Sequence, residues 1–157
     1  KKAEQLASQR YDSYRAIDGG VVFGPRKALE SHLIGILGEM AVANLYGVEL
    51  DTSTYEFGDG GNDLNFSAAD LSTDVKTTAT QKVRLPQLLV RADKALSADL
   101  YIRAHIIDRD RDTGVRVRIV GCAKREMVEQ QEPRRHPGDC LNHVVEPNQM
   151  RLPPLLR

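Results

Sequence analysis

Asp63, Asp74 and Lys76 are the residues of this chain whose types and spacing could do chemistry. Asp63 closes a turn, Gly58-Asp59-Gly60-Gly61-Asn62-Asp63, and Asp74 and Lys76 flank Val75. Side chains alternate faces along a strand, so Asp74 and Lys76 would share one face and Val75 would take the other. An acid and a lysine side by side, close to a second acid delivered by a turn, is a costly arrangement for stability alone. It suits a divalent cation held beside a phosphate. Magnesium and manganese take hard oxygen ligands, and two carboxylates plus the Val75 carbonyl make such a set. Such an ion makes a nucleophile of water and stabilises charge on a phosphate. Lys76 would orient or deprotonate that water, or offset the charge of the phosphorane-like state. The plainer alternative makes Asp63 a turn residue and Asp74 a strand-edge residue.

These residues need elements to hold them. The segment from Pro25 to Tyr46 reads as a helix, with a first-turn proline and Gly47 as terminator. Leu29, Leu33, Ile36, Leu37, Met40 and Leu45 recur at helical spacing and predict a core-facing stripe. Glu39 falls among them. It is either a solvated residue at the stripe's edge or an acid that reaches a metal, and periodicity alone favours the edge. Residues 63–67 and 72–78 read as two strands joined by a short turn, hence a hairpin.

The remaining pattern is helix, antiparallel strands, helix. Residues 2–17 predict an amphipathic helix, with Asp18-Gly19-Gly20 as its stop. Val48 to Phe57 reads as a strand and Leu88-Leu89-Val90 as a short helix after a break. Ala98 to Ile107 reads as a strand, followed by a charged loop over 108–114. The returning strand ends at Gly121, and Ala123 to Gln131 closes the fold as a helix. Five prolines from Pro133 onward predict an extended tail, pinned by Leu152, Leu155 and Leu156. The expectation is one α/β domain of mixed α+β type over 1–157, with a helical arm at 1–20 and a tail at 133–157.

The Gly60-Gly61-Asn62-Asp63 turn, the Asp74-Val75-Lys76 strand and a preceding helix with Gly38-Glu39 resemble the PD-(D/E)XK nuclease superfamily. The resemblance covers about residues 26–125. The Val120-Gly121-Cys122-Ala123 run into a helix is similar to small phage or archaeal-virus members and resolvase-like relatives. The resemblance implies a restriction-endonuclease-like core, a central mixed β-sheet flanked by helices. It implies Asp63 and Asp74 as the motif's acids, Lys76 as its lysine and Glu39 as the extra helix acid. It also implies magnesium- or manganese-dependent hydrolysis of DNA phosphodiester bonds, by a homodimer. Asn62 stands where the motif has proline.

Thr77, Thr78, Thr80, Gln81, Lys82 and Arg84 follow the lysine. Hydroxyls, an amide and cations there suit phosphate and sugar contacts, with Lys82 and Arg84 foremost. Arg134, Arg135, Arg109 and Arg111 are weaker candidates, the last two offset by neighbouring aspartates. Net charge is zero, yet residues 1–79 hold 7 Lys/Arg against 12 Asp/Glu and residues 80–157 hold 15 against 10. An acidic half bearing the metal and a basic half meeting phosphate would use that asymmetry.

Cys122, His136, Cys140 and His143 form a further grouping, in which the spacing of the last three could bind zinc, but no second close pair supports them. Cys122 reads better as a small buried residue. No Gly-x-Ser-x-Gly and no phosphate-cradling Gly-Lys-Ser/Thr loop occurs, which argues against a serine hydrolase or a nucleotide cofactor. No apolar run is long enough for a bilayer, and two cysteines favour a reducing, cytoplasmic setting, including that of a virus-encoded protein in a host cell. Aromatic content of 5% offers little for threading a strand. A structure- or sequence-selective endonuclease is therefore the expectation, ahead of a phage-type exonuclease. A non-catalytic interaction module on the same fold is the alternative from another class.

Overall fold

The computed structural model describes residues 1–17, 25–50, 64–66, 71–110 and 112–152. In chain order its elements are α1 (Lys2–Ile17), α2 (Pro25–Tyr46), β1 (Leu64–Phe66), β2 (Leu71–Thr78), β3 (Leu88–Arg91), β4 (Leu100–Asp110), β5 (Gly114–Lys124), α3 (Arg125–Glu129), β6 (Arg134–Arg135) and β7 (Leu141–Val145). The fold is mixed α+β. Four strands form a mixed sheet in the order β1-β2-β4-β5, and β3-β7-β6 form a second sheet. Among the described residues no helix is long and apolar enough to cross a membrane.

Alternation along β2 and β4 divides the core in two. Val75, Leu100, Ile102 and Ala104 pack with Val42 and Ala43 of α2. Tyr101, on the other face, packs with Leu88, Val90, Val128 and Val145, so the second sheet and α3 cover that end. Ala3 and Ala7 of α1 pack on Leu33 and Ile36 of α2, which places the arm on the body of the domain. Ile36, Ile102 and Leu88 are fully buried. Each such side chain stabilises the fold by roughly 1.5–3 kcal/mol.

The two helices begin and end where the sequence predicts, and β1 and β2 form the expected antiparallel hairpin, with Leu64 opposite Thr73. The hairpin's turn lies outside the described residues. So does most of the strand expected over 48–57, and residues 48–50 are irregular.

Several expectations are corrected. Leu88-Leu89-Val90 is strand, not helix, because Leu88 and Val90 are buried and the segment pairs along β7. Asp108, Arg109 and Asp110 belong to β4 rather than a loop, and Arg116 Nη2 meets Asp108 Oδ2 across the strands at 2.9 Å. β5 does not end at Gly121. The register shifts between Arg103 and Ala104, leaving Val120 as a bulge, and the strand continues to Lys124. A Cβ on Gly121 would stand 2.7 Å from Met150 Cβ, so glycine lets the returning chain bridge Cys122 to Arg151. The closing helix shortens to five residues. The supposed tail is built into the fold, since β7 joins β3 to β6. Leu152 is 83% exposed and pins nothing, while Leu155 and Leu156 lie outside the described residues.

Candidate functional site

Asp74 and Lys76 share one face of β2, as the alternation requires. Lys76 Nζ lies 2.6 Å from Asp74 Oδ2. The Asp74 side chain is 11% exposed and that of Lys76 is 36% exposed. A carboxylate so far from water needs a cation beside it, and the lysine supplies one. β4 lies parallel to β2 with Tyr101 opposite Asp74, Arg103 opposite Lys76 and His105 opposite Thr78. Paired residues point the same way, so these six form two polar columns on one face. Burial pushes the Tyr101 phenol up, the Ala98 amide's hydrogen bond opposes it, and the charge of Asp74 adds to the rise.

Asp99 fixes where this pair of strands starts. Ser72 Oγ donates to Asp99 Oδ2 at 2.7 Å, and the Asp99 amide donates to the Ser72 carbonyl at 2.9 Å. Arg125 Nη2 donates to Asp99 Oδ1 at 3.0 Å, which ties in α3. The Ser72 hydrogen bonds, then Arg125, hold the Asp99 carboxyl below its ordinary value. The clamp lies one residue before the Leu100–Thr73 pairing and so sets the register that brings Arg103 beside Lys76.

Glu39 is buried at 3% exposure, which corrects the solvated-edge reading. Periodicity missed it because α2 has neighbours on two sides, α1 at Leu33 and Ile36 and the sheet at Val42. The helix approaches β2 so closely that a Cβ on Gly38 would fall 1.9 Å from Thr77 Oγ1. Glu39 Oε1 lies 3.8 Å from where a Cβ of Gly35 would stand, an ordinary contact distance. Because α2 packs on Val75 and Thr77, it covers the face opposite to that of Asp74 and Lys76.

Asp63 lies outside the described residues. Among the described residues no three His, Cys, Asp or Glu side chains converge as a metal site. Of the expected donors, Asp74 lies on one face of β2 and Glu39 on the helix that covers the other, so the described residues do not show the two carboxylates brought together. Carboxylate and carbonyl oxygens are the donor type a hard cation such as magnesium or manganese takes.

The residues after the lysine divide. Thr77 is corrected: its side chain packs on Gly38 beneath α2, with Oγ1 buried and unpartnered. It faces away from Lys76, on the α2 side of β2. Gln81 Nε2 donates to the Ala79 and Ile106 carbonyls, which ties its loop to β4. Lys82 and Arg84 are exposed, beside the exposed Val83 and Leu85, and Thr78 and Thr80 are half-buried. Arg109 is engaged by Glu30 at 2.6 Å, and Arg134 by Glu146 at 2.9 Å. The zinc grouping is not assembled: Cys122 is buried in the α2-side core, Cys140 is exposed, and His143 Nδ1 lies 2.8 Å from the Gln131 carbonyl. Burial raises the Cys122 thiol.

Arg103 and His105 were not singled out from sequence, because a polar residue every second position reads as a solvated strand face. Both are buried, at 7% and 2% exposure. Their only advance signal was position on a strand that can pair with the one carrying Asp74. No family model, no curated protein and no solved structure matches this chain.

Proposed function

We propose that this chain is a metal-dependent deoxyribonuclease with a restriction-endonuclease-like core, acting as a structure- or sequence-selective endonuclease. The observation that carries this reading is the Asp74–Lys76 pair, 2.6 Å apart on one face of β2, in a domain that also buries Glu39 on the helix packed against that strand. Asp74, Asp63 and the Val75 carbonyl would hold magnesium or manganese, with Glu39 acting directly or through water. When bound, the ion supplies Lewis-acid stabilisation of the phosphate and makes water more acidic. Lys76, an ammonium in an ion pair, donates a hydrogen bond that orients the attacking water or offsets charge on the phosphate oxygens. Water loses a proton to solvent as it attacks phosphorus, one P–O bond forms and the P–O bond to the leaving oxygen breaks, and that oxygen takes up a proton from solvent. Lys82 and Arg84, exposed on the loop that follows β2, would meet the DNA backbone, with Thr78 and Gln81 beside them. Two copies acting together would cut both strands of a duplex.

The second reading is a non-catalytic nucleic-acid or protein interaction module. It draws on the placement of α2 over the face opposite to that of Asp74. Calorimetric titration with manganese separates the two. The nuclease reading expects saturable binding in the micromolar to millimolar range, lost in Asp74→Asn. No heat of binding at millimolar manganese favours the module.

A further inference from the structure

Among the described residues no carboxylate pairs with the buried cation of Arg103. Its residue is 7% exposed, no ion pair reaches it among the described residues, and its one hydrogen bond runs from Nη1 to the Lys76 carbonyl at 3.1 Å. Its Nε is sealed from water and has no partner among the described residues. Burial pushes the guanidinium down to about 10, which still leaves it charged at neutral pH. Arginines removed from water are ordinarily paired with an anion, because an uncompensated buried charge is strongly destabilising. The next residue on the same face repeats the pattern. His105 is 2% exposed, its Nε2 sits 2.7 Å from the Thr80 carbonyl, and its Nδ1 is buried with no partner. Two adjacent polar side chains of β4 thus keep unused hydrogen-bonding capacity beside Lys76. The row reaches solvent at Lys76, whose side chain is 36% exposed.

We propose that Arg103 is the phosphate-binding residue of the site, taking with Lys76 the backbone phosphodiester of a nucleic acid that the Asp74–Lys76 pair acts on. The proposal rests on the nuclease reading and names a residue that the resemblance does not supply. Lys76 and Arg103 stand opposite each other in the parallel register, so one phosphate can meet both. A guanidinium presents a planar fork that matches two phosphate oxygens, which a lysine cannot do. Holding it through the Lys76 carbonyl couples its position to the strand that carries Asp74. The stability cost of an unpaired buried cation is the mark of a group kept for its ligand.

The experiment uses the full chain as wild type, Arg103→Gln and Arg103→Lys. It measures thermal melting, manganese affinity by calorimetry, and steady-state magnesium-dependent cleavage of the DNA form the wild type cuts best. The expected result for Arg103→Gln is an unchanged or raised melting temperature, unchanged manganese affinity, and cleavage reduced on the order of 10²-fold or more. Arg103→Lys restores part of that loss, because charge returns without the fork. A purely structural arginine predicts the opposite, a lowered melting temperature with cleavage per folded molecule unchanged, and that result overturns the proposal. Wild-type cleavage retained in a folded Arg103→Gln overturns it while leaving the nuclease reading intact. A wild type that cuts no DNA with either metal removes both. If Arg103→Gln does not fold, Arg103→Lys decides: full activity per folded molecule overturns the assignment, and a folded, metal-binding but slow enzyme supports it.

Discussion

Asp74→Ala abolishes magnesium-dependent DNA cleavage and leaves the protein folded. The expected loss in rate is on the order of 10³-fold or more, because a ligand and the lysine's anchor disappear together. The expected loss of stability is about 1 kcal/mol or less. Lys76 keeps 36% of its side chain exposed, so without its partner it reaches water, and solvent screens much of what the ion pair contributes. Cleavage and thermal melting measured on the same preparation give the answer. Full activity in this variant removes Asp74 from the chemistry. An unfolded variant would instead make the pair a structural element of β2.

Gly38→Ala tests how α2 is placed, and its sign is diagnostic. Alanine in a helix is worth about 1 kcal/mol more than glycine, so propensity alone predicts stabilisation. Packing predicts the reverse. The new Cβ would stand 1.9 Å from Thr77 Oγ1, 2.7 Å from its Cγ2 and 2.9 Å from its Cβ. Thr77 is β-branched and lies within β2, paired with Ala104 of β4, so it has little room to turn. Overpacking of this kind costs about 1–3 kcal/mol, and the helix must move away from β2. The expected net result is destabilisation of up to about 2 kcal/mol by denaturant titration, with activity reduced because Glu39 moves with the helix. Thr77→Ala in the same chain removes the two worst contacts and recovers part of the loss, a coupling of about 0.5 kcal/mol or more. A stabilised Gly38→Ala single variant would show that helix and strand are not in contact here.

What could be read in the sequence follows from which signals are local. Proline and glycine punctuation marked both ends of α2, and alternation alone put Asp74 and Lys76 on one face. The hairpin of β1 and β2 followed from two short runs around a turn. Pairings between distant segments were not visible. β3 reads as helix or strand until β7 arrives from more than fifty residues later, and a proline-rich end looks extended unless one sees what it pairs with. The continuation of β5 past Gly121 depends on a contact with Met150 that no window of sequence contains. The site divides the same way. The acid and the lysine were legible because two residues apart is a local relation. Arg103 was not, since its meaning comes from the parallel register that sets it opposite Lys76. Glu39 was half legible: a carboxylate in an apolar stripe was seen, but its burial depends on two partners packing on one helix.

The most direct test of the central claim is an incubation of the purified chain with duplex, single-stranded, flapped and four-way DNA, with magnesium, with manganese, and with a chelator in place of either. Cleavage of at least one form in magnesium or manganese, and of none with the chelator, is the predicted result. Intact DNA in every magnesium and manganese reaction would contradict the account.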